Sequence, residues 1–318
     1  MKLALFALLF VGVATLPLWP SLRELRRPKD DQPLPIDLSS VRDPRRPGQE
    51  IRDALARAEA SDKTLVVPGD LQLDDGRSLL TATCAGDLDV AEARVSRAYA
   101  RGNARIGRHA RVGAVAADGW LMLADGAAVE AAVDAEEGIM AGQNCSLGMS
   151  AACGGVLELA FGTTFRRLWG NPIVVAGEPD GLLEDVEPPT IEDVVIWGKK
   201  RLSLPTGYVL DRDVVVHSDV RIGRDCRITG AVKAHGSIVV MPGAVIEGNL
   251  VARKDIHVLG DATVTKNLFA ERDLFLGPGT TVGDWGGHKT AYAGRRAEIS
   301  RGVRVFGAVL AHRGGTVV

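Results

Sequence analysis

Residues 212–283 read RDVVVHSDVRIGRDCRIT, GAVKAHGSIVVMPGAVIE, GNLVARKDIHVLGDATVT and KNLFAERDLFLGPGTTVG in lines of 18, and each line divides into three hexads in register. Every hexad carries a pair of residues separated by one. The first hexads supply Val214 and Val216, Val232 and Ala234, Leu250 and Ala252, and Leu268 and Ala270. The second supply Val220 and Ile222, Ile238 and Val240, Ile256 and Val258, and Leu274 and Leu276. The third supply Cys226 and Ile228, Ala244 and Ile246, Ala262 and Val264, and Thr280 and Val282, where Thr280 alone departs from apolar character. Side chains of an extended segment alternate between two faces, so each pair points one way. A helix would scatter this pattern around its circumference, so an α-solenoid is rejected and three short strands per turn are required. Ile238 then faces the core and Val239 faces outward.

The expected fold is an all-β, triangular β-helix solenoid with about 18 residues per coil, preceded by an N-terminal transmembrane helix. Corners fall at Gly, Asp, Asn and Pro-Gly, as at Pro242-Gly243 and Pro278-Gly279. The register continues upstream through Leu202, Leu204, Tyr208 and Leu210. Downstream it resumes at Ala291 and Ala293 after a break at Gly283 to His288, which reads as a loop insertion. A first block of the same kind is regular from Val115 and Ala117 onward, and its start, including Ala104, Ile106, Ala110 and Val112, slips by a residue. The expected organisation is an anchor over 1–20, a linker with a short amphipathic helix over 21–85, a first β-helix block over 86–165, a non-repeat excursion over 166–192 and a second block over 193–318. The helix falls at Gln49 to Asp62, where Ile51, Leu55 and Ala58 share a side. The excursion is marked by Pro172, Pro179, Pro188 and Pro189 and by the acids Glu184, Asp185 and Glu187.

Composition agrees with a repeat fold: 37 glycines and 5% aromatic residues favour small aliphatics and tight turns over a core of large rings. A formal charge of -2 removes the usual electrostatic argument for nucleic acid. Cys84, Cys145, Cys153 and Cys226 show no C-x-x-C spacing and read as small apolar residues, not as a disulfide scaffold or zinc site. Leu3 to Pro20 is uncharged, about the shortest stretch that crosses a hydrocarbon core. Arg23, Arg26, Arg27 and Lys29 on its C-terminal side, against Lys2 on the other, predict a single pass with a cytoplasmic body. A cleaved signal peptide ending near Ala14, with a periplasmic body, is the rival.

The lines GAVKAHGSIVVMPGAVIEGNLVARKDIHVLGDATV resemble the repeat of bactofilins, polymer-forming bacterial cytoskeletal proteins; the likeness is good over about 193–283 and looser elsewhere. The resemblance implies nucleotide-free, nonpolar filaments, a place at the bacterial inner membrane as a scaffold for cell-envelope proteins, and no catalytic residues, cofactor or metal. The anchor, the first block and the excursion depart from that family's shorter uninterrupted helix.

VRIGRDCRITG and ARIGRHARVG also resemble hexapeptide acyltransferases, in which a histidine lies between neighbouring helices, and His109, His217, His235, His257, His288 and His312 are the histidines available. His217 and His235, 18 apart, are expected to stack on one corner, and their column continues with Arg253 and Glu271, too few ligands for zinc. His288 sits in the inserted loop with Trp285, Gly286 and Gly287. Asp211, Asp213, Asp219 and Asp225 read as turn acids, although a periplasmic carbohydrate-binding or lyase-like β-helix would use such groups. Gly198-Lys199 lacks the glycine spacing of a P-loop. Trp169 with Arg166 and Arg167 suits contact with lipid headgroups or a partner, or packing on the outer sheet face.

These readings converge on a membrane-associated scaffold, not an enzyme, whose partner is a second copy of itself. After Val309 and Ala311 only Arg313 to Val318 remain, too few to cap the last coil. Val303, Val305, Val309, Ala311 and Val317 are therefore the expected self-association residues, joining copies head to head. The N-terminal end is expected to be covered by the helix.

Overall fold

The computed structural model describes residues 43–57, 63–74, 76, 78–108, 110–177 and 201–318. The stretch expected to cross a membrane lies outside them, as do His109 and most of the expected excursion. Among the described residues, no helix is long and apolar enough to cross a membrane. Asp43–Val318 forms one compact unit.

That unit is a β-solenoid of about thirteen turns at about 18 residues per turn. In the second block strands pair in parallel with the strand one coil on: Val214↔Val232↔Leu250↔Leu268 on one side, Val220↔Ile238↔Ile256↔Leu274 on the next, Ile228↔Ile246↔Val264↔Val282 on the third. The columns inferred from hexad pairing are the core. Ile238, Ile256, Ile228, Ile246 and their neighbours have no exposed surface. Each such side chain contributes about 1.5–3 kcal/mol on burial. Gly283 to His288 is an insertion inside a coil, since Leu268 pairs with Ala291 across it. Val239 faces outward between Arg221 and His257, as its position requires, yet is only 3% exposed. The side chains of adjoining coils cover it.

The first block begins earlier than Gly86. Thr64–Val67, Leu71–Leu73 and Ser78–Cys84 are already coil strands, within the stretch expected to be linker. The 18-residue rule missed them because register steps here are shorter: Thr64 to Thr81, Thr81 to Arg97, Arg97 to Ala114. The change to longer steps is a bulge, with Val112 opposite Val129 but Ala114 opposite Ala132. This is the slip seen in the sequence.

The helix α1 spans Arg46–Leu55. It does not cover the first coil but lies on a lateral face, where Ile51 and Leu55 pack against Tyr99, Ala114, Ala116 and Ala132.

The expected excursion over 166–192 is also corrected at its start. Thr164–Val175 is a single long strand, and it pairs antiparallel with the C-terminal strand Arg304–Val317. Thr164 faces Thr316, Leu168 faces Val309 and Ile173 faces Val305, so the contact follows all three sides of the triangle. On its other edge Thr164–Val175 stacks in parallel on Ser150–Cys153 and Leu157–Leu159. Arg304–Val317 stacks in parallel on Thr281–Val282, Lys289–Ala293 and Ala297–Ile299. The two blocks thus meet last coil to last coil at a seam. Phe165 at this seam lies over Gly315, where a β-carbon would fall 2.3 Å from the ring.

Candidate functional site

The seam relocates the expected self-association residues. Val305 and Val309 lie directly opposite Ile173 and Leu168, and Val303, Val305, Val309, Ala311 and Val317 are all buried within the chain. The head-to-head contact expected between two copies is made between the two blocks of one. Sequence reasoning missed it because an antiparallel partner breaks the hexad period: Thr164–Val175 has bulges at Phe165/Arg167 and Gly170/Ile173. The run of alternating burial through Leu168, Ile173 and Val175 was the available signal.

Two ends remain. Among the described residues, the outer edge of Thr64–Val67 has no strand partner, nor has that of Leu202–Leu204, Val209–Leu210 and Val214–Val216. Each is the N-terminal coil of its block. Core residues there are incompletely covered: Leu65, Val67 and Leu79 at one end, Tyr208 and Leu210 at the other. An unpaired edge offers backbone donors and acceptors to a further strand.

The titratable candidates divide plainly. His217 and His235 do meet on one corner, edge to face, with ring centroids 4.5 Å apart. Desolvation, then the charges of Arg253, His217 and Lys233, holds the His235 pKa below its ordinary value. No group of three or more potential metal ligands occurs among the described residues. His257 lies near Phe275, and His288 stacks on Trp169 with centroids 5.0 Å apart. Trp169 is half-buried against the outer sheet face, and Trp285 on the inserted loop is 76% exposed beside Phe306. The turn acids are structural: Asp213 accepts from the Ala231 N–H at 2.7 Å, Asp219 from Ser237 at 2.9 Å, and Asp211 from the Thr229 hydroxyl. Asp70, Asp87 and Asn103 make the same ladder in the first block, each accepting from the next coil. The cysteines are buried and unpaired, and burial pushes the Cys84 thiol up to about 11 and Cys153 up to about 12.

The most concentrated buried electrostatics were not foreseen. Asp134, 1% exposed, lies beneath α1 and receives Arg45 at 3.0 Å and Arg52 as well. Arg45 also reaches Glu136 at 2.7 Å, and Arg52 reaches Asp118 at 2.9 Å. Burial opposes the Arg45 charge, but the hydrogen bonds it donates to Glu136 and Asp134 outweigh it and raise its pKa. The same bond from Arg45 holds Glu136 below the ordinary carboxylate value. This network clamps α1 to the solenoid wall.

Compared with known proteins, the chain matches no family model, no curated protein and no solved structure.

Proposed function

We propose that this chain is a structural scaffold that associates end to end through the N-terminal coils of its two blocks, held at a membrane by the apolar segment Leu3 to Pro20. One observation carries the reading: within the chain, two coils of this repeat already join edge to edge on all three sides, while among the described residues an equivalent edge has no strand partner at each end. The sequence likeness to bactofilins supports the same class and a bacterial inner-membrane location. Copies would meet block to like block, giving isologous contacts and, with both ends used, an open string.

The full chain in detergent, followed by light scattering and electron microscopy, tests this. Strings or discrete end-to-end dimers are expected. Tyr208→Lys with Leu210→Lys should prevent contacts at that end, because lysines at the rim of the terminal coil place like charges face to face. His288→Ala should leave assembly unchanged. A monomer at every concentration, or assembly indifferent to the lysines, overturns the reading.

A further inference from the structure

The whole-chain charge near zero conceals a corner column that is basic in four successive coils, beside a ladder of Asp219, Asp255 and Asp273 in which Asp255 pairs with Arg272. Backbone hydrogen bonds from Lys254 to Gly236, Arg272 to Lys254, Arg295 to Arg272 and Arg313 to Arg295 place these residues in one corner column. Where that column reaches the seam, the C-terminal strand bulges opposite Arg166, between the pairs Phe165↔Gly315 and Arg167↔Leu310. His312 and Arg313 stand exposed on the bulge. Arg166 and Arg167 from the other block are exposed beside them.

Strands facing each other across a joint gain from opposite charges and lose from like ones. Here arginines of both blocks gather at the joint, so their charge does not serve to hold it. A groove of about 500 Å³ runs along this corner across the seam. Arg166, Arg296 and Arg313 line it and have no ion pair among the described residues. Glu130 and Glu298 share the groove with the hydroxyls of Ser146, Thr164 and Thr316.

We propose that this groove binds a linear acidic polysaccharide, with the guanidinium groups on its carboxylates and the glutamates and hydroxyls on its sugar hydroxyls. Guanidinium suits planar carboxylates because it offers paired donors in a fixed fork. Glu130 and Glu298 disfavour a chain as densely charged as nucleic acid, which carries an anion at every backbone step. An acidic peptide would gain most by adding a strand to an open edge, and the seam strands are paired on both edges.

Calorimetric titration of the full chain in detergent with oligogalacturonate provides the test, with neutral dextran and single-stranded oligodeoxynucleotide as comparison probes. Binding of oligogalacturonate alone, weakening as salt rises, is expected. Arg296→Gln with Arg313→Gln should weaken it by about tenfold or more, as loss of two charge-assisted contacts implies. Arg227→Gln, on the strand Arg227–Ile228 of a different side, should leave it unchanged, and circular dichroism of each variant checks that the fold is intact. Absence of binding at low salt, equal binding of dextran or of the oligonucleotide, or equal loss in the Arg227 variant overturns the proposal.

Discussion

Gly207, Asp225, Gly243, Asp261 and Gly279 share one corner column, and all five have positive φ, between 53° and 73°. The first block repeats the theme at Gly126, Asn144 and Gly162. Glycine takes this backbone region freely, and Asp and Asn tolerate it best among the rest. Their alternation has a steric cause, because a β-carbon on Gly243 would lie 2.1 Å from Oδ1 of Asp225, and one on Gly279 2.2 Å from Asp261. Each carboxylate fills the space above the next coil, which must then be glycine. Gly207→Ala, with nothing near its absent β-carbon, should cost only the conformational penalty of about 1–2 kcal/mol. Gly243→Ala should cost more, and in an Asp225→Gly background it should fall to the Gly207 level. Chemical denaturation of the four variants measures this, and equal costs in both backgrounds would disprove the steric account. Corner glycines were legible from the sequence, but their alternation was not, since the positive φ of the aspartates and the reach of each carboxylate over the next coil belong to the folded backbone.

At the scale of the element, α1 is a poor helix by local rules. Arg45 provides no side-chain cap, the first turn has no acid, and Gly48 lies inside the helix. Alanine at position 48 should stabilise an isolated helix by about 0.8–1 kcal/mol. In the protein the added β-carbon would meet Asp134 at 2.1 Å, so Gly48 is the opening through which the clamp reaches the wall. Gly48→Ala is therefore expected to loosen α1 despite its higher propensity, read as faster amide exchange over Arg46–Leu55 with the coil amides unchanged. Slower exchange there would refute the clamp. Helical spacing of Ile51 and Leu55 revealed the element, whereas its docking site was hidden because Asp134, Glu136 and Asp118 look like ordinary strand-end acids. Coil strands were the most readable elements, because each buries its own pair of side chains and so writes its period into the chain.

For the whole molecule, the seam turns a presumed surface into interior. Val303→Lys with Val309→Lys would block assembly if these residues formed a free end. With both residues at most 1% exposed, it should instead unfold the C-terminal coils, at several kcal/mol for unpaired buried charges. Thermal unfolding of the full chain should show a large loss of stability, and a variant that kept wild-type stability would mean the seam is absent in solution. The long-range pairing was illegible because no local pattern states which distant strand closes an edge. It also sets an order of events during synthesis. The first block is complete at Val175, yet its last coil has no partner until Arg304 to Val317 have left the ribosome. Throughout that interval an open strand edge and an apolar cross-section are on offer to any neighbouring nascent chain. Two chains on one message could each close the other's first block, and the exchanged pair would contain every contact of the monomer.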